Sequence, residues 1–313
     1  MFWTVGLDLR AGCDGPAFFA SWLVRETSSR GTGDRASAAH IVEGNSWQYV
    51  FRSRGLWGVE NNLEHLIEPS ALLAASHQAV ETQLARTETR EQFASLHVLP
   101  ETTAEVGLAG LVQGIPGTGL IVGRRSKSSE DRFVRLGRVA RKLLRSLPSP
   151  VIVTPPDLGP ELGEGPIVFA TDCGDDSIAA YQFAASLAQR LNRKLCLVYV
   201  VSMPDVWMQD VLLQPFAAVR TNMLEDGEKV VDKWIEQNQF AVDERVVAVG
   251  DIVASIDDVA ASRRAPVVVC GSRRLGPWAR IFVNSVASEF AAASQCPVAV
   301  IPPDYTVGAA RSV

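Results

Sequence analysis

The fold is decided by residues 267–304, which read VVVCGSRRLGPWARIFVNSVASEFAAASQCPVAVIPPD. Three consecutive valines open the stretch, and such a run is typical of a strand buried on both faces of a parallel sheet. Gly271 ends the run in a polar loop, and an amphipathic pattern from about residue 278 to 294 predicts a helix. Residues 296–301, CPVAVI, predict a second buried strand. Together these elements form a βαβ unit, and ligands of such units bind beyond the carboxyl ends of the strands.

A second stretch repeats the same unit. Residues 120–157, which read LIVGRRSKSSEDRFVRLGRVARKLLRSLPSPVIVTPPD, align without a gap with residues 267–304, and both end in Pro-Pro-Asp. In this alignment Gly123 falls on Cys270. The shared length and hydrophobic pattern indicate a tandem duplication. Because strands alternate with helices in both halves, we predict an α/β fold of two doubly wound, Rossmann-like domains, each with a five-stranded parallel sheet.

The predicted domains are residues 1–157 and 166–313, and residues 158–165 form a linker rich in Gly, Pro and acidic side chains. A chain of 313 residues has the length expected for two domains of about 150 residues each. The duplication predicts that the two halves superpose. A single sheet running through both halves would argue against it.

Composition sets limits on location and partners. The chain is 47% hydrophobic and 21% charged, as ordinary soluble globular proteins are, and its net charge of −5 gives no general attraction to nucleic acid or anionic membranes. No apolar run reaches about 18 residues, and no basic region precedes an apolar segment at the N-terminus, so neither a membrane span nor a signal peptide is expected. The five cysteines lack C-x-x-C spacing, which favours reduced thiols in a cytoplasmic protein.

The second half resembles a universal stress protein domain over nearly its whole length, and the first half resembles a more diverged copy. Nucleotide-binding members of that family carry an Asp at the end of the first strand, a G-x-x-G-x(9)-G-[ST] loop after the fourth strand, and a fifth strand that begins with CPV. The resemblance implies the adenine nucleotide alpha hydrolase-like variety of the fold. It also implies that the two domains pack as a pseudo-dimer through their fifth strands.

The resemblance assigns six residues of the second half to an adenine-nucleotide site. They are Asp172, Val200, Gly271, Arg274, Asn284 and Ser285. Asp172 matches the first-strand Asp, and Val200 matches the hydrophobic residue that contacts adenine. Arg274 and Asn284 replace the second and third glycines, although Asn tolerates left-handed backbone and a guanidinium can itself bind phosphate. Two interpretations stay open: the loop binds ATP or another adenine nucleotide, or it is degenerate and binds none.

The first half departs further from the motif. Asp8 keeps the first-strand carboxylate. The alignment fills the four loop positions with Arg124, Lys127, Gly137 and Arg138. We therefore expect no nucleotide in this half. The segment 132–145 instead predicts a helix with one basic face. That face is formed by Arg135, Arg138, Arg141, Lys142 and Arg145. It is either an anion-binding or partner-binding patch or, as we favour, a solvated face that pairs with acidic residues.

The expected function is that of a cytoplasmic stress-response binding or regulatory protein, with at most weak ATP hydrolysis. Two alternatives remain. Residues 173–177, CGDDS, resemble the S-G-G-x-D-S loop of ATP-using pyrophosphatase-type enzymes, and a ligand-free protein could instead bind partners through the basic helix. The four histidines have no metal-ligand spacing, so no metal is expected. The expected partner is the other half of the chain, and homo-oligomerisation stays open.

Overall fold

The computed structural model describes residues 1–10, 12–31, 33–43, 69–124, 136–202, 215–272 and 286–306. The strands of the first half are β1 (Phe2–Gly6), β2 (Arg35–Glu43), β3 (Phe93–Glu101), β4 (Thr118–Gly123) and β5 (Val151–Thr154). Those of the second half are β6 (Ile167–Thr171), β7 (Leu195–Ser202), β8 (Glu244–Gly250), β9 (Val268–Gly271) and β10 (Val298–Ile301).

Helices cover both faces of the strands. In the first half they are α1 (Gly15–Ser28), α2 (Pro69–Arg86), α3 (Ala104–Gly110) and α4 (Arg138–Ser146). In the second half they are α5 (Ile178–Leu191), α6 (Pro215–Asn238), α7 (Ile252–Ser262) and α8 (Val286–Ala293). No helix among the described residues is long and apolar enough to cross a membrane.

All these strands lie in one ten-stranded sheet with the order β3-β2-β1-β4-β5-β10-β9-β6-β7-β8. Each half therefore has the same internal order, and its strands are parallel. The halves join at β5 and β10, which pair antiparallel with Val151 opposite Val300 and Val153 opposite Val298. This is the predicted packing of a pseudo-dimer through its fifth strands.

The expectation that a continuous sheet would argue against duplication is wrong. Pairing two fifth strands edge to edge necessarily merges two sheets into one. The only antiparallel pair among the described strands is β5 with β10, at the join itself. The repeated strand order on either side of that join supports a duplicated unit. The division at residues 157 and 166 stays a prediction.

The core has two layers, one on each face of the sheet, and both extend across the two halves. Helices α1, α2, α5 and α6 cover one face, and α3, α4, α7 and α8 cover the other. Successive side chains of β9 are buried on opposite faces of the sheet. Val269 contributes to the first layer, while Val268 and Cys270 contribute to the second. A strand that is buried on both faces needs apolar side chains at every position.

Buried polar contacts also cross between the halves. The Asp34 carboxylate of the first half accepts hydrogen bonds from the Met1 amine at 2.9 Å, from Trp3 Nε1 at 3.0 Å, and from Arg190 of α5. The guanidinium of Arg193 lies 5.6 Å from the centroid of the Trp22 ring. These directional contacts constrain the relative orientation of the halves more than apolar contact alone would.

One element differs from a sequence prediction, in which the Ser, Gly and Arg content of residues 27–37 indicates a loop. Strand β2 begins at Arg35, within the stretch that its Ser and Gly content predicted to be a loop. Pro69 is the first described residue of α2, so the prediction that it splits or kinks a helix over residues 61–86 stays a prediction. Residues 61–68 and 278–285, to which helix was also predicted, lie outside the described residues.

Candidate functional site

The second half contains a cleft of about 530 Å³ at the carboxyl ends of β6, β7 and β9. Helices α7 and α8 form its sides, and parallel sheets commonly bind ligands in this place. The apolar part of the described wall includes Val198, Val200, Ile252, Ile256 and Phe290. The polar part includes Asp172, Ser177 and the main chain at Gly271. A ligand in this cleft would meet an apolar surface and a carboxylate together.

Asp172 is the first residue beyond β6, and its side chain is fixed by its own turn. Oδ1 accepts hydrogen bonds from Gly174 N at 3.1 Å and from Ser177 Oγ at 2.8 Å. Between them Cys173 has a φ of 58°. Burial, with the nearby Asp172 charge, raises the pKa of the Cys173 thiol to about 12. The Cys173 thiol therefore stays protonated at neutral pH, while the carboxylate has a defined orientation.

Gly271 lies where the loop after β9 passes close to the start of α5. A Cβ atom at this position would lie 3.2 Å from the Asp176 carbonyl oxygen and 3.5 Å from Ala180 Cβ. A larger residue would force the loop away from the helix. The next residue, Ser272, donates its N–H to the Ile301 carbonyl at 3.0 Å, which ties the loop to β10.

The apolar wall is built from β7 and α7. Val198 and Val200 are separated by two positions on β7 and therefore point to the same face of the sheet. Ile252 and Ile256 are four positions apart on α7 and share one face of that helix. Asp251 begins α7, because its Oδ1 accepts the Ala254 N–H at 2.7 Å.

Three of the six predicted site residues, Asp172, Val200 and Gly271, line this one cleft. The other three, Arg274, Asn284 and Ser285, lie outside the described residues, so their roles stay predictions. Sequence reasoning did not name Ile252 and Ile256 as site residues. Their four-residue spacing on α7, the helix after β8, could have identified them, because this helix flanks the carboxyl ends of the strands.

The first half has a cleft of about 520 Å³ at the equivalent place, with a more polar lining. There Asp8 forms a surface ion pair with Arg10, whose Nε lies 2.9 Å from Oδ1 and 2.8 Å from Oδ2, and the two side chains are 42% and 68% exposed. Burial alone would raise the pKa of Asp8, but its hydrogen bonds and charge interaction with Arg10 hold that pKa below the usual value. Asp8 is thus engaged by a cation of its own chain.

Hydrogen bonds between strands correct the gapless alignment of the halves. Leu120 N donates to the Pro150 carbonyl at 2.8 Å, and Val268 N donates to the Pro297 carbonyl at 2.9 Å. Leu120 and Val268 therefore occupy equivalent positions if the two prolines do. The alignment, which paired Leu120 with the preceding valine, is wrong by one residue in β4.

In the corrected register Gly123 is equivalent to Gly271, and Arg124 is equivalent to Ser272. Arg124 N donates to the Thr154 carbonyl at 3.0 Å, just as Ser272 N donates to its own fifth strand. The prediction that Arg124 replaces the first loop glycine is therefore wrong. The first half keeps both the strand-end carboxylate and this glycine, and the chain between that glycine and the following proline is one residue longer.

Two of the five residues of the basic helix face form ion pairs within the chain, and Arg135 lies outside the described residues. Arg138 pairs with Glu43 and lies 3.9 Å from Glu105, and Lys142 pairs with Glu105. Burial would raise the pKa of Glu105, but the hydrogen bond from Lys142 is the largest of several opposing effects, and that pKa is lowered. Arg141 forms no ion pair among the described residues and is exposed. These pairs agree with the favoured interpretation, a solvated face paired with acidic residues.

The turn at residues 173–177 is not arranged like a pyrophosphate loop. Cys173 N donates to Thr171 Oγ1 at 2.9 Å, and Gly174 N donates to Asp172. Ser177 N donates to the Gly174 carbonyl at 3.0 Å. Anion-binding loops direct several N–H groups at the ligand, whereas these three are used within the turn. Among the described residues, no group of three or more His, Cys, Asp or Glu side chains could hold a metal ion.

Comparison with known proteins agrees with this architecture. The model of the universal stress protein family matches residues 165–302. The fold is similar to that of a universal stress protein from Archaeoglobus fulgidus DSM 4304, with a TM-score of 0.56 and 13% identity over 96% of this chain and 98% of that chain. A functionally unknown protein from Pseudomonas aeruginosa PAO1 gives a TM-score of 0.58 and 14% identity over 97% and 92% of the chains. A comparison with curated protein sequences gave no match.

Proposed function

We propose a regulatory function based on binding, because residues 165–302 match the universal stress protein family model and the fold is similar to that of a universal stress protein. In this proposal the cleft of the second half binds ATP or another adenine nucleotide, and the chain acts through the bound state instead of through catalysis. The chain is a cytoplasmic stress-response protein. Its domains are residues 1–157 and 166–313, which pack as an internal pseudo-dimer.

One observation carries the proposal: the cleft combines an apolar wall with an oriented carboxylate. Its volume of about 530 Å³ lies within the range of about 300 to 1,000 Å³ that is usual for small-molecule sites. The side chains of Val200 and Ile256 offer a surface for a flat base, while Asp172 offers acceptors for the hydroxyls of a ribose. The glycine at position 271 leaves the backbone accessible to phosphate.

The two halves provide an internal comparison for this assignment. Asp172 Oδ1 accepts hydrogen bonds from the main chain and a hydroxyl of its own turn, while Asp8 forms a surface ion pair with the guanidinium of Arg10. A nucleotide in the first half would have to displace that guanidinium from the carboxylate. We place the nucleotide in the second half because its cleft has the more apolar lining and because the family model matches that half.

The first experiment asks whether a nucleotide is bound at all. Purified full-length chain is denatured, and the released small molecules are identified by mass spectrometry. Binding of added ATP and AMP is then measured by isothermal titration calorimetry on nucleotide-free protein. Failure to find a co-purified nucleotide, together with no heat of binding at millimolar ATP, would contradict the proposal.

A matched pair of variants then locates the site. Asp172→Asn keeps the size of the side chain and an acceptor oxygen for the turn, but it loses the negative charge. Since hydrogen bonds to charged groups are worth about 1.5 to 3 kcal/mol, we expect nucleotide affinity to fall about tenfold or more. The control Asp8→Asn should leave it unchanged. Equal effects of the two substitutions would show that the nucleotide does not occupy the cleft of the second half.

A further inference from the structure

Helix α8 forms one wall of the cleft of the second half. Val286, Ala287 and Phe290 of this helix line the cleft. Phe290 is only 1% exposed and also belongs to the core layer on that face of the sheet. A shift of α8 would therefore move part of the apolar surface of the cleft. What holds this helix in place matters for the ligand.

Polar contacts hold the end of α8 against the first half and against α7. The carbonyl oxygen of Ala292 accepts a hydrogen bond from Arg124 Nη1 of the first half at 2.6 Å. Just beyond the helix, Ser294 Oγ donates to Asp257 Oδ1 of α7 at 2.6 Å. The last four carbonyls of a helix have no partner within it, and a cation beside them interacts favourably with the helix dipole. Arg124 thus supplies a donor and a positive charge to a helix of the other half.

Arg124 is itself anchored in the first half. It follows β4 directly, it is 7% exposed, and its N–H donates to the Thr154 carbonyl of β5 at 3.0 Å. Burial lowers the pKa of its guanidinium, and the charges of Asp157 and Asp257 oppose that change. The Asp257 carboxylate therefore interacts with both Arg124 and Ser294. These interactions connect the first half with the two helices, α7 and α8, that form the sides of the cleft.

The second half does not return this contact. In the corrected register Ser272 occupies the position of Arg124, and a serine side chain is short and uncharged. We propose that Arg124 is a positioning residue for the cleft of the second half, because it fixes the end of α8 from the first half and so raises nucleotide affinity. The inference rests on the proposed function of that cleft. A wall that is already fixed loses less conformational freedom when a ligand binds.

The test compares two variants of the full-length chain, each of which loses an arginine that joins the halves. Arg124→Met removes the contact with α8. Arg190→Met removes the buried ion pair with Asp34, and Arg190 is not among the described residues that line the cleft. In calorimetric titration with ATP, we expect Arg124→Met to raise the dissociation constant about tenfold and Arg190→Met to leave it unchanged. A merely structural role of Arg124 would not separate the two variants by affinity.

Hydrogen exchange of the nucleotide-free protein adds a measurement that needs no ligand. Arg124→Met should increase amide exchange in residues 286–293, whereas Arg190→Met should not. Arg124→Lys keeps the charge but loses the planar guanidinium, so it should lie between the parent and Arg124→Met in both assays. It takes the place of Arg124→Met if that variant does not fold.

The outcomes separate this inference from the proposed function. If the parent does not bind ATP, the proposed function fails and this inference fails with it. If the parent binds ATP, the inference alone is overturned when the folded Arg124 variants keep the parent's affinity, or when their α8 exchange is unchanged. An equal loss of affinity in Arg190→Met would also overturn it, since any loosening between the halves would then have the same effect.

Discussion

Replacing Arg190 with Met tests the buried ion pair that joins the two halves. The Asp34 side chain is 0% exposed and that of Arg190 is 17% exposed. Removing one partner of a buried pair typically costs about 3 to 5 kcal/mol, because the remaining charge stays in the interior. Asp34 would keep the Met1 amine and Trp3 Nε1 as partners. We therefore expect the free energy of unfolding to fall by the lower value, about 3 kcal/mol.

The measurement is urea unfolding followed by circular dichroism, with both the midpoint and the slope compared. The control is Arg245→Met, which removes an ion pair with Asp232 whose side chains are 51% and 42% exposed. Such a surface pair contributes about 1 kcal/mol or less. Combining Arg190→Met with Asp34→Asn completes a double-mutant cycle that isolates the pair. The reasoning is refuted if Arg190→Met costs no more stability than Arg245→Met.

Two further predictions concern stability. Because its ion pair lowers the folded pKa of Glu105 below 4.5, that pair stabilises the fold above this pH and is lost as pH falls through the folded pKa. Lys142→Met should therefore reduce stability at neutral pH, and a reduction that persists in full near pH 3 would contradict this. At Gly163 an added Cβ would overlap the Arg264 carbonyl oxygen, so Gly163→Ala should cost about 1 to 3 kcal/mol in the same unfolding assay. Gly159→Ala, where a Cβ meets nothing within 4 Å, is the control and should cost much less.

The fold could be predicted from the sequence because its strands are marked by apolar runs and glycine ends. The register of β4 could not be. An alternating strand loses its buried face when it slips by one residue, but a strand such as LIV or VVV is apolar at every position and gives the same pattern in either register. The Leu120 and Val268 hydrogen bonds supply the information that hydrophobicity lacks.

The site was predictable to the extent that it depends on local sequence. Asp172 and Gly271 follow strands, and their approach to one another is a consequence of parallel topology. The pairing of Asp8 with Arg10 is also local, since the two residues are separated by one position. In contrast, the contact of Arg124 with Ala292 joins positions 168 residues apart and depends on how the halves pack. No spacing rule within one half could have identified it.

The corrected register changes how the two halves are related. Both keep a carboxylate after the first strand and a glycine at the end of the fourth, so the clefts do not differ by loss of those groups. Among the described residues, the first half differs in two arginines that lie beside these groups. Arg10 occupies the Asp8 carboxylate, and Arg124 stands where the second half has Ser272. Because Arg10 pairs with Asp8 and Arg124 replaces Ser272, a ligand in the first half would meet side chains that the second half does not present at the equivalent positions.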